Sequence, residues 1–408
     1  MEFLKVDTLQ KAREKILGYG AHLLKREHVL LQDALGRTLA EDICALADIP
    51  YFRRSTVDGY AVLAKDTGVA GESVPTFLRK SATVEMGELV SIRLCSGSCA
   101  EVPTGGMVPE GADAVVMVEY TEPFGADGVA VYKSVAVGEN IVQIGDDVKR
   151  GERLLSKGRQ LKPQDMGALS AIGMTQVPVY EAPKVTIFST GDEIVPPEQE
   201  AREGTVRDIN TQALAALAKT MDFSVIHQEV LPDQKWVLEE GLRQAMVDSD
   251  IVFVSGGSSR GEKDKTFDVI EAVSSPGVFT RGLAIKPGKP TILGYDAESE
   301  TLLAGLPGHP VAAVLVFALL FGWLQREVRD TPMALPIPGR LTCNVAGGQG
   351  KLSCHLCKIR WEQGEYAVEP IFSKSGLITS LVAADGYFLI ERDTEGLNQG
   401  HTVLVHLF

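Results

Sequence analysis

The sequence is short of cysteine, of aromatic rings and of positive charge, and each shortage excludes something. Six cysteines are scattered through 408 residues, and no positively charged leader followed by an apolar segment opens the chain. Secretion and a disulfide framework are therefore not expected, and the thiols read as reduced ones in a cytoplasm. A formal net charge of −14 leaves no general basic face, which excludes a nonspecific nucleic-acid or anionic-membrane binder. Any anionic ligand must meet a local basic cluster. The longest apolar run, Val311 to Leu324, is 14 residues, short of the roughly 20 that span a bilayer. It reads as a fully buried helix, inside a domain or at a subunit interface. Cys354-His355-Leu356-Cys357, with Cys343 nearby, resembles a zinc pattern, but residues three apart in an alternating, strand-like stretch face opposite sides.

What is present is the composition of a folded protein, 45% hydrophobic and 23% charged, in a chain long enough for two to four domains. The stretch that organises it runs from Asp250 to Thr266. Ile251 to Val254 predicts a short buried strand ending at Gly256-Gly257, and the apolar set Phe267, Val269, Ile270 and Val273 predicts a helix with Asp264 near its N-cap. A glycine-rich turn there exposes backbone N–H groups at the positive end of the helix dipole, where an oxyanion binds. Arg260, Lys263 and Lys265 add charge to it. The plain alternative is an ordinary strand-to-helix turn with solvated lysines.

Taken in order, Asp7 with Gln10 predicts the start of a helix ending at Gly18 or Gly20, and Leu31, Ala34 and Leu35 predict a second short helix closing at Gly36. From about Ala61 to Lys133, short alternating strands punctuated by Gly and Pro predict a small β domain. Pro163 to Ile172 reads as a helical return to the N-terminal layer, making that β domain an insertion. Beyond Pro183 the rhythm becomes strand, loop, helix, with Asn210 expected to cap the helix to Met221 and a strand expected from Gly277 to Ile285. Such alternation predicts a mostly parallel sheet covered on both faces. After Pro332, Pro336 and Pro338 the chain alternates to its end, predicting a small β domain, either a partly open barrel or a sandwich. The expected fold class is multidomain α/β plus β: an N-terminal helical layer (1–45 and 138–180), an inserted small β domain (46–137), a central mostly parallel α/β sheet domain (181–330) and a barrel-like C-terminal β domain (331–408).

Three loops leave strand ends of the α/β section: Thr190-Gly191-Asp192-Glu193, Ser255 to Lys265, and Gly305-Leu306-Pro307-Gly308-His309-Pro310. A fourth segment, Ile285-Lys286-Pro287-Gly288-Lys289-Pro290, holds two lysines in a proline-stiffened turn. Ligands on such sheets bind at the carboxyl ends of the strands. Cations and carboxylates gathered there suit a phosphate ester with a divalent metal.

Taken together, these segments resemble the molybdopterin molybdenumtransferase family, which includes the gephyrin E domain, over essentially the whole chain. The resemblance rests on an ordered set: Ala34-Leu35-Gly36-Arg37, Ser55 to Ala61, Thr104-Gly105 with Val108 to Asp113, Gly145-Asp146-Asp147, Ser189 to Glu193, Ser255-Gly256-Gly257, Lys286 to Pro290 and Gly305 to Pro310. It implies an elongated four-part homodimer whose site lies between the α/β domain of one subunit and the inserted β domain of its partner. It also implies insertion of molybdate into adenylylated molybdopterin with Mg2+, releasing AMP. On that resemblance Asp58, Asp147, Asp264, Lys286 and Lys289 are the expected catalytic set, with Glu193 and Asp264 as Mg2+ ligands. Thr104, Ser255, Gly256, Gly257, Ser259, Gly261, Pro307, Gly308, His309, Pro310 and Ser375 are expected to bind the pterin, phosphate or anion. A transient contact with the molybdopterin adenylyltransferase is a further expectation; nucleic acid and membrane are not expected partners.

The chain departs from the family pattern in the loop Ser258 to Asp264, more cationic than usual, and at His309, where asparagine is usual. Val142 stands in place of an arginine, and Gly106-Met107 in place of Ala-Pro. These departures bear on oxyanion specificity. Rival readings are a tungstate-preferring or specialised paralogue, a non-catalytic molybdopterin-binding scaffold, and the adenylyltransferase that makes the substrate. Retained carboxylates and lysines oppose the scaffold, and the attached β domains oppose the adenylyltransferase.

Overall fold

The computed structural model describes residues 6–256 and 265–408. At its centre a six-stranded sheet runs in the order Ser224–Leu231, Lys184–Thr190, Ile251–Gly256, Thr301–Leu306, Ile292–Asp296, Pro276–Arg281. The first four strands are parallel to one another, and Ile292–Asp296 runs antiparallel to both of its neighbours. Parallel strands are apolar on both faces because both are covered. Ile251 and Phe253 enter a core with Leu214 and Phe317, while Val252 and Val254 enter a second core with Leu238, Leu242 and Ile270 on the opposite side.

Two expected elements differ here. The strand expected from Gly277 to Ile285 ends at Arg281, because Gly282 takes φ +93°, a conformation open to glycine that turns the chain out of the sheet. Ile285–Lys286 then pairs with Leu352–Ser353, far along the sequence. Ile292–Asp296, unanticipated from the sequence, takes up the vacated pairing beside Thr301–Leu306.

The apolar run is spent inside the fold. Pro310–Val328 is long and apolar enough by length and composition to cross a bilayer, yet Val311 through Gly322 are buried. Phe253 meets Phe317 at 4.9 Å and Phe321 edge-on at 4.7 Å between ring centroids, the geometry aromatic quadrupoles favour.

Around this centre the chain closes on itself. Arg26–Leu30 pairs antiparallel with Gln176–Tyr180, and Ile43–Cys44 with Arg153–Leu155. Residues 59–131 make a separate six-stranded sheet in the order Ala114–Met117, Gly59–Val62, Ser98–Val102, Thr76–Thr83, Gly128–Val131, Thr121–Phe124. The last section is a closed barrel. Leu352–Glu362 is long enough to pair with Gly386–Ile390 along its first half and Glu365–Pro370 along its second, while Ile337–Leu341 and Thr402–Leu407 complete the ring. Cys354 and Cys357 face opposite sides of that strand, Cys354 toward the central core and Cys357 inside the barrel. Burial pushes the Cys357 thiol up to about 12 and raises the Cys354 thiol as well.

The N-terminal helix, Leu9–Leu17, is capped by Thr8, whose hydroxyl accepts from the Lys11 N–H at 3.2 Å, rather than by Asp7. Asp7 is buried, paired with Lys15 and hydrogen-bonded by the Thr280 hydroxyl at 2.9 Å. The helix expected around Leu31 to Leu35 is a single 3-10 turn, Leu31–Asp33.

Candidate functional site

Adjacent parallel strands end together, and the site begins at three such ends. Thr190 pairs with Gly256 and Ser255 with Leu306, so their loops leave the sheet side by side at its carboxyl edge. The packing admits no side chain at Gly256. Its φ is +124°, and a Cβ there would lie 2.0 Å from the Thr190 carbonyl oxygen. Gly256→Ala is expected to cost about 1–3 kcal/mol from backbone strain alone, read as a lower urea midpoint.

Ser255 is fully buried. Its hydroxyl accepts from Asn210 Nδ2 at 2.8 Å and donates to the Pro307 carbonyl at 3.2 Å, and Asn210 Nδ2 donates to the Gly308 carbonyl at 2.8 Å. One amide thus joins the second strand end to the loop leaving the third. Asn210 does this because it is not the helix cap the sequence suggested. Ile209 holds that position, and Asp208 serves the helix end instead, accepting the Thr211 N–H at 3.3 Å, the Thr211 hydroxyl, and the Ser189 hydroxyl at 2.8 Å. Asn210 and Asp208 are site residues that the sequence reading missed, and Thr190 was named there only as the start of its loop. The available signal was two polar side chains in Asp208-Ile209-Asn210 where a helix needs one cap. Asn210 Oδ1 and Thr190 Oγ1 are buried without a hydrogen-bond partner, an expensive state unless water or a ligand meets them.

Three helices start on this edge. Asn210–Thr220 is anchored there by its first residue, and Lys265–Val273 by the Thr266 hydroxyl on the Gly256 carbonyl at 3.3 Å. Pro310–Phe317 follows the Pro307-Gly308-His309 loop, with Pro310 in its first turn. Their positive dipole ends converge where an anion would sit.

Glu193, Lys286, Lys289 and Ser375 lie on segments that adjoin these strand ends and helices. Glu193 is exposed on the loop after Thr190, and a Cβ on Gly191 would lie 2.9 Å from its Oε2, so the carboxylate folds back toward its own strand end. Lys286 and Lys289 are exposed, and neither has an ion-pair partner among the described residues. Their turn is set by Gly288, at φ +120°, where a Cβ would strike Val316 at 2.6 Å. Lys286 pairs in register with Ser353, which puts both on one face with His355. Burial first, and the Lys286 charge second, hold the His355 pKa below its ordinary value, so the ring stands neutral with a buried, unpartnered Nε2. From the barrel, the Ser375 hydroxyl meets His309 Nδ1 at 2.8 Å.

Three expected residues lie elsewhere in the chain. Asp58 accepts the backbone N–H of Thr104 at 2.7 Å and its hydroxyl at 3.0 Å; these bonds, the backbone one first, hold its carboxyl below the usual carboxylate range. Asp147, exposed, donates its N–H to the Ile49 carbonyl at 3.0 Å. Among the described residues, neither Asp58, Thr104 nor Asp147 has a hydrogen bond, ion pair or ring contact with the Ser255 group. Gly257, Ser259, Gly261 and Asp264 lie outside the described residues.

Three family models match in succession: MoeA N-terminal region (domain I and II) over residues 7–173, probable molybdopterin binding domain over 186–326, and MoeA C-terminal region (domain IV) over 338–408. The molybdopterin molybdenumtransferase of Haemophilus influenzae is 32% identical over 98% of this chain and 98% of its own length. That of Bacillus subtilis is 30% identical over 93% and 89%. The crystal structure of the molybdopterin biosynthesis MoeA protein from Pyrococcus horikoshii OT3 is 32% identical, covers 99% of this chain and 100% of its own, and superposes with a TM-score of 0.85. With three family models matched in succession and full-length relatives at 30% identity or more, the chain belongs to the molybdopterin molybdenumtransferase (MoeA) family.

Proposed function

We propose that this protein is a molybdopterin molybdenumtransferase, which inserts molybdate into adenylylated molybdopterin and releases AMP. The observation that carries this reading is the strand-end group, where Asn210 ties Ser255 to Gly308 beneath three helix N-termini. It is a preorganised anion cradle in a protein of net charge −14, and two lysines without ion-pair partners among the described residues stand on the turn that packs against the Pro310–Phe317 helix at Val316. The names of full-length relatives, molybdopterin molybdenumtransferases, supply molybdopterin, and the adenylyl group follows from the resemblance of the motifs.

The residues divide the work by charge. Backbone N–H groups at the strand ends hold phosphate. Lys286 and Lys289 neutralise negative charge that grows on the leaving oxygen as the phosphoanhydride breaks. Neutral His355 adds no competing positive charge beside Lys286. Mg2+ fits the oxygen donors present: the exposed Glu193 carboxylate and the unsatisfied Thr190 and Asn210 oxygens, with Asp264 as the second proposed ligand. When bound there, the ion would polarise phosphate oxygens as a Lewis acid. Asp58, Thr104 and Asp147 are assigned to the pterin or the oxyanion. Their lack of contact with the Ser255 group within one chain supports a homodimer in which they complete the partner's site.

The test is AMP release from adenylylated molybdopterin, measured with and without Mg2+, molybdate and tungstate. Release that requires one of the oxyanions is the expected result and names the anion, and loss of release on chelation is expected from the metal assignment. Tight substrate binding without release under any condition would overturn the transferase reading in favour of a scaffold.

A further inference from the structure

The Pro310–Phe317 helix begins without a cap of its own. Its N-cap residue is His309, which makes no capping bond, whereas Ser, Thr, Asp and Asn are the side chains that serve there. The Val311 N–H is satisfied from another part of the molecule, by the Ser375 carbonyl at 3.2 Å. His309 reaches the same residue, Nδ1 to hydroxyl at 2.8 Å. Gly376 extends the contact, since a Cβ there would lie 3.8 Å from the imidazole Cδ2. Beyond it the Ile378–Ala383 helix packs against Pro310–Phe317.

Ser375 is therefore held at two points, through its hydroxyl and through its carbonyl, over a helix end that opens onto the strand-end group. The barrel that carries Ser375 is tied down a second time by Leu352–Ser353, which pairs with Ile285–Lys286. Both ties adjoin groups assigned to the anion. Resting on the transferase reading above, we infer that His309 is a positioning residue: it fixes Ser375 over the Pro310–Phe317 helix and so sets how closely the C-terminal barrel approaches the substrate, without touching the anion itself. Its Nδ1 is committed to Ser375. A side chain occupied in this way serves the anion through its partner.

The test compares His309→Ala, Ser375→Ala, the double variant and His309→Asn in the full chain, by amide hydrogen exchange at Val311 and by steady-state AMP release. Each single alanine variant is expected to speed exchange at Val311 and to raise KM for adenylylated molybdopterin about tenfold, with kcat held within about twofold. The double variant should be no worse than either single one, because all three remove the same contact. His309→Asn, whose amide reaches the place of Nδ1, should restore both readouts, with the preference between molybdate and tungstate unchanged throughout. Unaltered exchange in His309→Ala, or additive effects in the double variant, would overturn the proposal. So would a shift in oxyanion preference at constant KM, which would put His309 on the anion. Exchange needs no substrate, so it decides the clamp even where AMP release fails, a failure that bears on the transferase reading instead.

Discussion

Replacing either Lys286 or Lys289 by alanine is expected to lower kcat for AMP release by about 100- to 1,000-fold, the range seen when one preorganised charge or donor is taken from a developing oxyanion. Both ammonium groups are exposed and lack ion-pair partners among the described residues, so neither is consumed in holding the fold. The turn that carries them is rigid, because Gly288 is packed directly over Val316. Each loss should therefore appear in activity with little change in the urea midpoint. Lys→Arg at either position should rescue only in part, since a planar guanidinium does not reproduce a compact point charge. A rise in KM with kcat intact would mean that the lysines bind the substrate and its transition state equally, and would remove them from the chemical step.

Asp222→Ala is expected to have the largest effect on stability, about 3–5 kcal/mol, the cost of leaving a buried charge without its partner. The Arg329 side chain is 1% exposed and donates Nη1 to Asp222 Oδ2 at 2.8 Å and Nη2 to the Glu181 carbonyl at 2.6 Å. Arg37, from the N-terminal layer, approaches the other carboxylate oxygen at 3.2 Å. Removal of the carboxylate leaves the buried Arg329 guanidinium without its counter-ion, beside Arg37, which keeps Glu27 at 2.6 Å. Asp222 also sits at φ +59°, which asparagine tolerates, so Asp222→Asn separates charge from backbone strain. It should lose most of the same stability, measured as the urea midpoint. A loss near zero for both variants would show that the two arginines are held by their other partners, the Glu27 carboxylate and Tyr180 carbonyl for Arg37 and the Glu181 carbonyl for Arg329.

Much of the centre of the molecule was legible because it is local. The unbroken apolar run Ile251 to Val254, glycine where the backbone must take positive φ, and proline in the first turn of Pro310–Phe317 are each dictated by a few neighbouring residues. The burial of the apolar run was expected from its 14 residues, but its helix continues to Val328 and reaches a length that crosses a bilayer, so the packing around it decides. The helix starts were less legible. Asp7 and Thr8 are both good caps, as are Asp208 and Asn210, and the choice within each pair turns on distant partners: Lys15 and Thr280 for Asp7, Ser255 and Gly308 for Asn210.

The sequence by itself determined most of the central strands and helices, that a mostly parallel sheet lies between β sections, and which loops leave its strand ends, because hydrophobic period and turn chemistry act over a few residues. Motif order along the chain likewise determined the family. Only the tertiary structure decided that Ile285–Lys286 leaves its sheet to join the barrel, that Asn210 knots two strand ends, that Arg37 and Arg329 share Asp222, and that Ser375 caps a helix behind His309. Each of these joins elements far apart in the chain, where the partner is chosen by which buried polar group would otherwise go unsatisfied, a condition that no local stretch of sequence contains.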